Sequence, residues 1–193
     1  MKHPAVVVFC VALAALGAPS HAHLPKVFRY AFPIAETGFD PAQITDLYSR
    51  IVTSHIFDGL YKYDHLARPF KIKPNTAAAM PEVSEDFRVW TVKLRPGIYF
   101  QDDPAFKGQR RELTAQDYVY SFKRYYDPRW KSPNYPTLSE QRFVGMAAVR
   151  DESINSKKPF DYDREVSGLR ALECWSASSR KARMRASSRS GAS

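Results

Sequence analysis

Two cysteines, Cys10 and Cys174, are all that the 193 residues contain. Cys10 lies in an apolar N-terminal run that reads as removable, so no disulfide can close within the mature chain. Stability must come from a hydrophobic core. A long hydrophobic run is also lacking. The stretch from Ala5 to Leu16 falls short of the roughly 18–20 apolar residues that span a bilayer. Histidine is scarce, with five in the whole chain, and no His-Glu-x-x-His pair or Cys/His cluster occurs. Neither a Gly-x-Ser-x-Gly elbow nor a glycine-rich phosphate loop is present, so the familiar hydrolase and nucleotide-binding chemistries find no residues to carry them.

What the N-terminus does contain is a pattern. Met1-Lys2-His3, the apolar run and Ser20-His21-Ala22 have the basic start, apolar middle and small-x-small end of a secretory signal peptide. Residues 1–22 are therefore expected to direct export to the periplasm. Cys10 lies within the apolar core and lacks the small residues that precede a lipidated cysteine. His21-x-His23 is a weak metal pair at best, and cleavage after Ala22 would destroy it, so no metal site is expected.

The net charge of +9 is concentrated at the two ends. Residues 174–193 hold five Arg/Lys and no acid, and Lys2 belongs to the leader. Residues 23–173 carry 23 bases against 20 acids, a net of +3. That balance is ordinary for a soluble domain and gives no support to nucleic-acid binding. The last twenty residues contain seven Ser and four Ala, with only Trp175 and Met184 as large apolar groups. Residues 173–193 are accordingly expected to form a disordered tail with the composition of an out-of-frame terminus.

Between the leader and the tail the chain reads as mixed α/β. Lys26–Phe32 has strand character and Pro33 ends it. Asp40-Pro41 offers an N-cap and a first-turn proline. Ile44, Leu47, Tyr48, Ile51, Val52, His55 and Ile56 follow at helical spacing, and Asp58-Gly59 supplies a stop. Leu60–Tyr63 and Phe70–Ile72 read as strands around a turn, and Met80–Asp86 as a loop. Arg88–Leu94 alternates with period two, Arg95-Pro96-Gly97 turns, and Ile98–Phe100 leads away as another strand. Trp90, Tyr99, Phe100, Tyr118 and Phe122 fall at positions expected to be buried. Thr114-x-x-Asp117 forms a capping box for a helix with Tyr118, Val119, Phe122 and Tyr125 on its apolar face, and Asp127-Pro128 breaks it. Arg129–Thr137 is Pro-rich, and Leu138–Val149 carries a weaker helical pattern.

Among ionisable groups, His55 reads as a packing histidine and His65 as a solvated turn residue. Asp102-Asp103 and Arg110-Arg111 read as loop charges facing water. Trp130 and Tyr135 differ, because aromatics in a Pro-rich loop can line a ligand cleft.

Residue order becomes specific in Trp90-Thr-Val-Lys-Leu-Arg-Pro-Gly-Ile-Tyr-Phe-x-Asp102 and Leu113-Thr-Ala-x-Asp-Tyr-Val-Tyr-Ser-Phe-Lys-Arg-Tyr-Tyr-Asp-Pro128. With Gly38-Phe39-Asp40-Pro41 and Phe57-Asp58-Gly59-Leu60-Tyr61, these resemble the signature of the family 5 extracellular solute-binding proteins. Those are the oligopeptide, dipeptide and nickel receptors of ABC importers, and the resemblance runs from about Val27 to Leu172. Two departures mark a subgroup: Asp102-Asp103-Pro104 lacks the glycine usual after the second strand, and Pro104–Arg110 lengthens the loop.

The resemblance implies an α/β fold, the N-terminal part of a type II periplasmic binding protein with the second lobe missing. Residues 23–59 would begin the main lobe and residues 60–172 would form an accessory subdomain. It also implies capture of a peptide or similar small solute, an ABC permease in the inner membrane as partner, a monomer, no cofactor and no catalysis. Glu36, Thr37, Gly38 and Phe39, with Trp130 and Tyr135, are the ligand-contact candidates. Glu36 would pair with a ligand ammonium and the aromatics would pack on it. Two other classes stay open: an exported hydrolase, and an exported cationic protein that binds surfaces through its tail without a transport role.

Overall fold

The computed structural model describes residues 26–176 and 179–188. The leader reading and the His21-x-His23 pair lie outside them. The described residues divide into two units after Pro33. In the first, residues 26–33 make no strand, and Tyr30 and Phe32 stack edge-to-face with centroids 5.3 Å apart. Strand character alone does not suffice: an extended segment becomes a strand only when a neighbour takes up its N–H and C=O groups.

The second unit opens with a turn at residues 41–43, closed by Gln43 N–H donating to Asp40 O at 2.9 Å. The first helix, α1 (Leu47–Ile56), starts six residues later than the Asp-Pro signal suggests. Asp46 is its N-cap and accepts from Ser49 N at 2.8 Å. The helix ends at Ile56, before Asp58-Gly59, with Phe57 extended. Its inward positions are Ser49 and Thr53, whereas Leu47 and Ile56 are more than half exposed and His55 faces out. Periodicity reported an apolar stripe, but the stripe turns away from the core of this unit. Thr53 Oγ1 is satisfied locally by Ser49 O at 2.9 Å, so the polar face can be buried without an orphaned group.

Strands β1 (Tyr61–Asp64) and β2 (Lys71–Pro74) pair antiparallel as the sequence suggests. Their register puts Tyr61, Tyr63, Ile72 and Pro74 on one face and the charged Lys62, Asp64, Lys71 and Lys73 on the other. The main sheet has the order β3-β4-β6-β5, from β3 (Glu82–Val83), β4 (Val89–Lys93), β5 (Leu169–Ser176) and β6 (Ser179–Ser187). β3 lies within the segment expected to be a loop. β4 confirms the alternation at Val92, which is buried with Leu94 beyond it, but Trp90 is 43% exposed. Tyr99 and Phe100 are also more open than expected. The guanidinium groups of Arg110 and Arg111 cover their rings at 3.9 and 4.5 Å. The strand expected at Ile98–Phe100 is reduced to a single bridge, Tyr99 opposite Glu112.

The largest departure lies at the C-terminus. Residues 179–187, expected to be part of a disordered tail, form β6 at the centre of the sheet. Its backbone pairs with β4 from Val89↔Ser187 to Lys93↔Arg183, and with β5 from Leu169↔Ala186 to Ser176↔Ser179. Met184 is buried in the core. Composition undervalued this segment because a central strand is held by ladder hydrogen bonds on both edges, which any residue except proline can supply.

Helix α2 (Ala115–Tyr126) packs on this sheet. The capping box forms: Thr114 N–H donates to Asp117 Oδ2 at 2.8 Å, the shorter Asp doing the work usual for Glu. Its buried positions are Ala115, Val119, Lys123 and Tyr126, while Tyr118, Phe122 and Tyr125 are half-buried. Lys123 was no part of the expected face, yet it is only 2% exposed. Its ammonium donates to Tyr162 O and Arg164 O at 2.7 and 2.8 Å. Burial pushes its pKa down, and the nearby Asp161, Asp163 and Glu165 push it back up without restoring it.

Beyond α2, the Pro-rich segment contains a 3-10 turn (Pro128–Trp130) and a short helix, α3 (Tyr135–Glu140). The helical pattern over Leu138–Val149 is split. α3 ends at Glu140, and α4 (Met146–Ser156) begins after Gly145, in the left-handed region at φ 88°. The core gathers Ala77, Val92, Leu94, Val119, Tyr126, Met146, Val149, Phe160, Val166, Leu169 and Met184.

Candidate functional site

The loop from Glu36 to Phe39 is fastened to the start of α1. Thr37 N–H donates to Ser49 Oγ at 3.0 Å, and Thr37 Oγ1 donates to the Asp46 carboxylate. Glu36 is exposed and Phe39 is 48% exposed, so an acid and an aromatic stand free on an anchored loop. Asp46 accepts from the Ser49 backbone, from Thr37 and from the Ser49 hydroxyl. These bonds lower its pKa to about 2.

A group whose carboxyl pKa is depressed by folding adds stability above its unfolded pKa, and loses it as pH falls through the folded value. Asp46 thus contributes fully above about pH 4, the ordinary carboxylate range, and that contribution disappears towards pH 2. We expect Asp46→Asn, which keeps a capping oxygen, to flatten the fall in melting temperature between pH 4 and pH 2. Identical profiles for parent and variant would contradict this.

The anchored loop runs directly into Asp40, whose carboxylate takes a two-point fork from α2. Arg124 Nη1 donates to Oδ1 at 3.0 Å and Nη2 to Oδ2 at 2.7 Å. The same guanidinium lies 4.9 Å from the centroid of the Trp130 ring. Trp130 is gripped at its edge as well, Nε1 donating to the Tyr162 hydroxyl at 3.0 Å. That hydroxyl donates to Asp127 Oδ2 at 2.7 Å, and Arg129 holds the same carboxylate through Nε and Nη2. Burial pushes the fully buried Asp127 carboxyl up, but the bonds from Arg129 and Tyr162 outweigh it and leave it below the usual range.

The structure therefore links the 36–39 loop and Trp130, two segments some ninety residues apart in sequence. Tyr135 belongs to a different neighbourhood. Its ring meets Tyr126 edge-to-face at 5.5 Å, and the Arg150 guanidinium lies over it at 3.9 Å. An open recess of about 320 Å³, lined by Pro41, Ile44, Arg50, Thr53, Phe57 and Asn134, lies beside the turn that follows Asp40. Sequence reading missed Asp40, Arg124 and Tyr162 as parts of this constellation. Asp40 stood in the Gly38-Phe39-Asp40-Pro41 stretch and Arg124 at a Tyr-rich helix end close to Asp127-Pro128, but nothing in residue order joined the two or pointed to Tyr162.

Among the described residues, no group of three or more His, Cys, Asp or Glu side chains could hold a metal ion. No helix among them is long and apolar enough to cross a membrane.

The pattern of bacterial extracellular solute-binding proteins, family 5 (middle region), matches residues 71–178, more than half of the chain. The chain belongs to family 5 of the bacterial extracellular solute-binding proteins. Its family relatives include Di/tripeptide-binding protein 2 of Pseudomonas aeruginosa, 33% identical over 111 residues, which cover 54% of this chain and 19% of that protein. The periplasmic oligopeptide-binding protein OppA of Salmonella typhimurium is 31% identical over 120 residues, covering 62% of this chain and 19% of the relative. This family 5 chain thus spans about a fifth of the length of these curated relatives.

Two solved family structures carry the same fold. Listeria monocytogenes OppA bound to peptide matches with a TM-score of 0.51 at 22% identity, covering 81% of this chain and 26% of that one. The periplasmic binding protein DppA from Helicobacter pylori in complex with peptide STSA matches at 0.50 and 23%, covering 79% and 25%. The α/β fold is that of the corresponding part of a type II periplasmic binding protein. In this family 5 chain the 104–110 loop is built around a 3-10 turn. Asp103 caps the 3-10 turn Pro104–Phe106 by accepting from Ala105 N at 2.8 Å, and Phe106 packs against Phe100 at 6.3 Å.

Proposed function

We propose that this chain serves in the solute-capturing component of an ABC importer. In this reading it holds a peptide or similar small solute non-covalently in the periplasm for delivery to an inner-membrane permease, without catalysing a reaction. The observation that carries the reading is the family 5 match over residues 71–178, in a family whose relatives here are named for di-, tri- and oligopeptide binding. In this assignment residues 23–59 begin the main lobe and residues 60–172 belong to the accessory subdomain. Glu36, Thr37, Gly38 and Phe39 supply one side of the contact, with the exposed Glu36 carboxylate facing a peptide ammonium and Phe39 its apolar portion. Trp130 supplies the other side. Tyr135, clasped by Tyr126 and Arg150, acts by supporting the Pro-rich segment.

The test is photo-cross-linking of the purified chain with short peptides bearing a photoreactive phenylalanine, which captures weak contacts. Labelling is expected at residues 36–39 and around Trp130, and unlabelled peptide should compete with it. Absence of competable labelling, or equal labelling by a photoreactive sugar, would overturn the proposal.

A further inference from the structure

Arg124 occupies an unusual position in this constellation. Both of its terminal nitrogens are spent on Asp40, its plane lies against Trp130, and its Nε is buried without a hydrogen-bond partner. A buried, unpartnered donor costs free energy, so the guanidinium is held here by the fork and the stack despite that cost. Asp40 is equally committed. Its carboxylate also accepts from Ala42 N at 3.1 Å and from Gln43 Nε2 at 2.9 Å, which fixes the turn that continues the 36–39 loop. Trp130 has one edge bonded to Tyr162, and its ring is met by the guanidinium of Arg124 at 4.9 Å and, less closely, by that of Arg129 at 5.8 Å. The side chains of Arg124 and Asp40 are each about a quarter exposed, shielded enough for the pair to survive salt screening better than a surface bridge.

We propose that Arg124 is a positioning residue that fixes the 36–39 loop and the Trp130 ring in one arrangement for ligand contact. The inference rests on the solute-binding reading for its consequence, but the geometric claim can be tested without any ligand. Lysine at this position keeps the charge and loses both the planar fork and the stack, so Arg124→Lys separates electrostatics from geometry.

In a background where Trp90 and Trp175 are replaced by Phe, Trp130 becomes the sole indole reporter. Arg124→Lys is expected to red-shift its emission and to raise its acrylamide quenching constant about twofold, because one ring face loses its cover. Asp40→Asn should produce a smaller change in the same direction. Peptide photo-labelling at 36–39 should fall in step with the change in quenching. If Arg124→Lys lowers the melting temperature while quenching and labelling of the folded protein stay at parental values, Arg124 is merely structural and the proposal fails. If the parent shows no competable labelling, the solute-binding reading fails, while the fluorescence result still decides whether Arg124 positions Trp130.

Discussion

Ending the chain after Ser176 is expected to abolish cooperative unfolding. That cut removes β6, which lies between β4 and β5 and takes ladder bonds from both. It also removes three bonds beyond the ladders: Ser187 N–H to Gly168 O at 2.8 Å, Val144 N–H to Ser187 O at 3.1 Å and Ser188 N–H to Arg88 O at 3.1 Å. Each internal hydrogen bond is worth about 1 kcal/mol net, and each buried partner left unpaired costs about 1–3 kcal/mol. The buried Met184 is lost too, which costs about 2–5 kcal/mol by comparison with Met→Ala changes in cores. Net stability of an ordinary domain is only roughly 5–15 kcal/mol, so opening the sheet between β4 and β5 and emptying the Met184 site leaves too little to hold a cooperative fold. Circular dichroism during heating should show a broad, non-sigmoidal decline for the shortened chain. A sigmoidal melt within about 3 °C of the full chain's, equivalent to about 1 kcal/mol in a chain this size, would show that β6 is dispensable.

Gly168→Ala is the second change expected to have a large effect. Gly168 stands where three backbones meet: its N–H donates to Val144 O at 2.8 Å, and its C=O accepts from Ser187. A methyl group there would lie 2.7 Å from Val144 Cα and closer still to Val144 N and O. The obstacle is backbone, which no rotamer change can move aside. Either the α3–α4 connection or the start of β5 must shift, and the bonds joining them to β6 break. We expect at least about 3 kcal/mol of destabilisation in urea unfolding, the upper end of ordinary overpacking. Gly97→Ala is the control, since a methyl group there meets nothing within 4 Å and only the positive φ of 77° is strained. Equal costs for the two substitutions would refute the packing argument.

These two sites show where sequence reading runs out. The strand that alternation announces at β4 and the Thr114-x-x-Asp117 box that opens α2 depend on neighbours within a few residues, and both form, although Trp90 lies more open than the alternation suggests. The β1–β2 hairpin is equally local. Nothing comparable announces β6, because its Ser, Ala, Arg and Lys residues carry no apolar period. It becomes a strand only because β4 and β5 present two open edges at the right spacing. Lys123 makes the same point for burial. A lysine on a helix reads as solvated, and its place inside depends on two carbonyls about forty residues further on.

The candidate site divides along the same line. Glu36, Phe39 and Trp130 were legible as residue types suited to a ligand, and the resemblance of Trp90–Asp102 and Leu113–Pro128 to a receptor signature gave the family, later matched over residues 71–178. That Trp130 belongs with the 36–39 loop, and Tyr135 with Tyr126 and Arg150, could not be read from order or spacing. Arg124 makes the first connection by reaching Asp40 across 84 residues. Short-range propensity and motif order were thus enough for the family, the α/β class and most local elements, because each depends on a few consecutive residues. Tertiary structure alone decided the outward turn of the α1 stripe, the central place of β6 and the grouping of the site, because each depends on which distant backbone or charge supplies the missing partner.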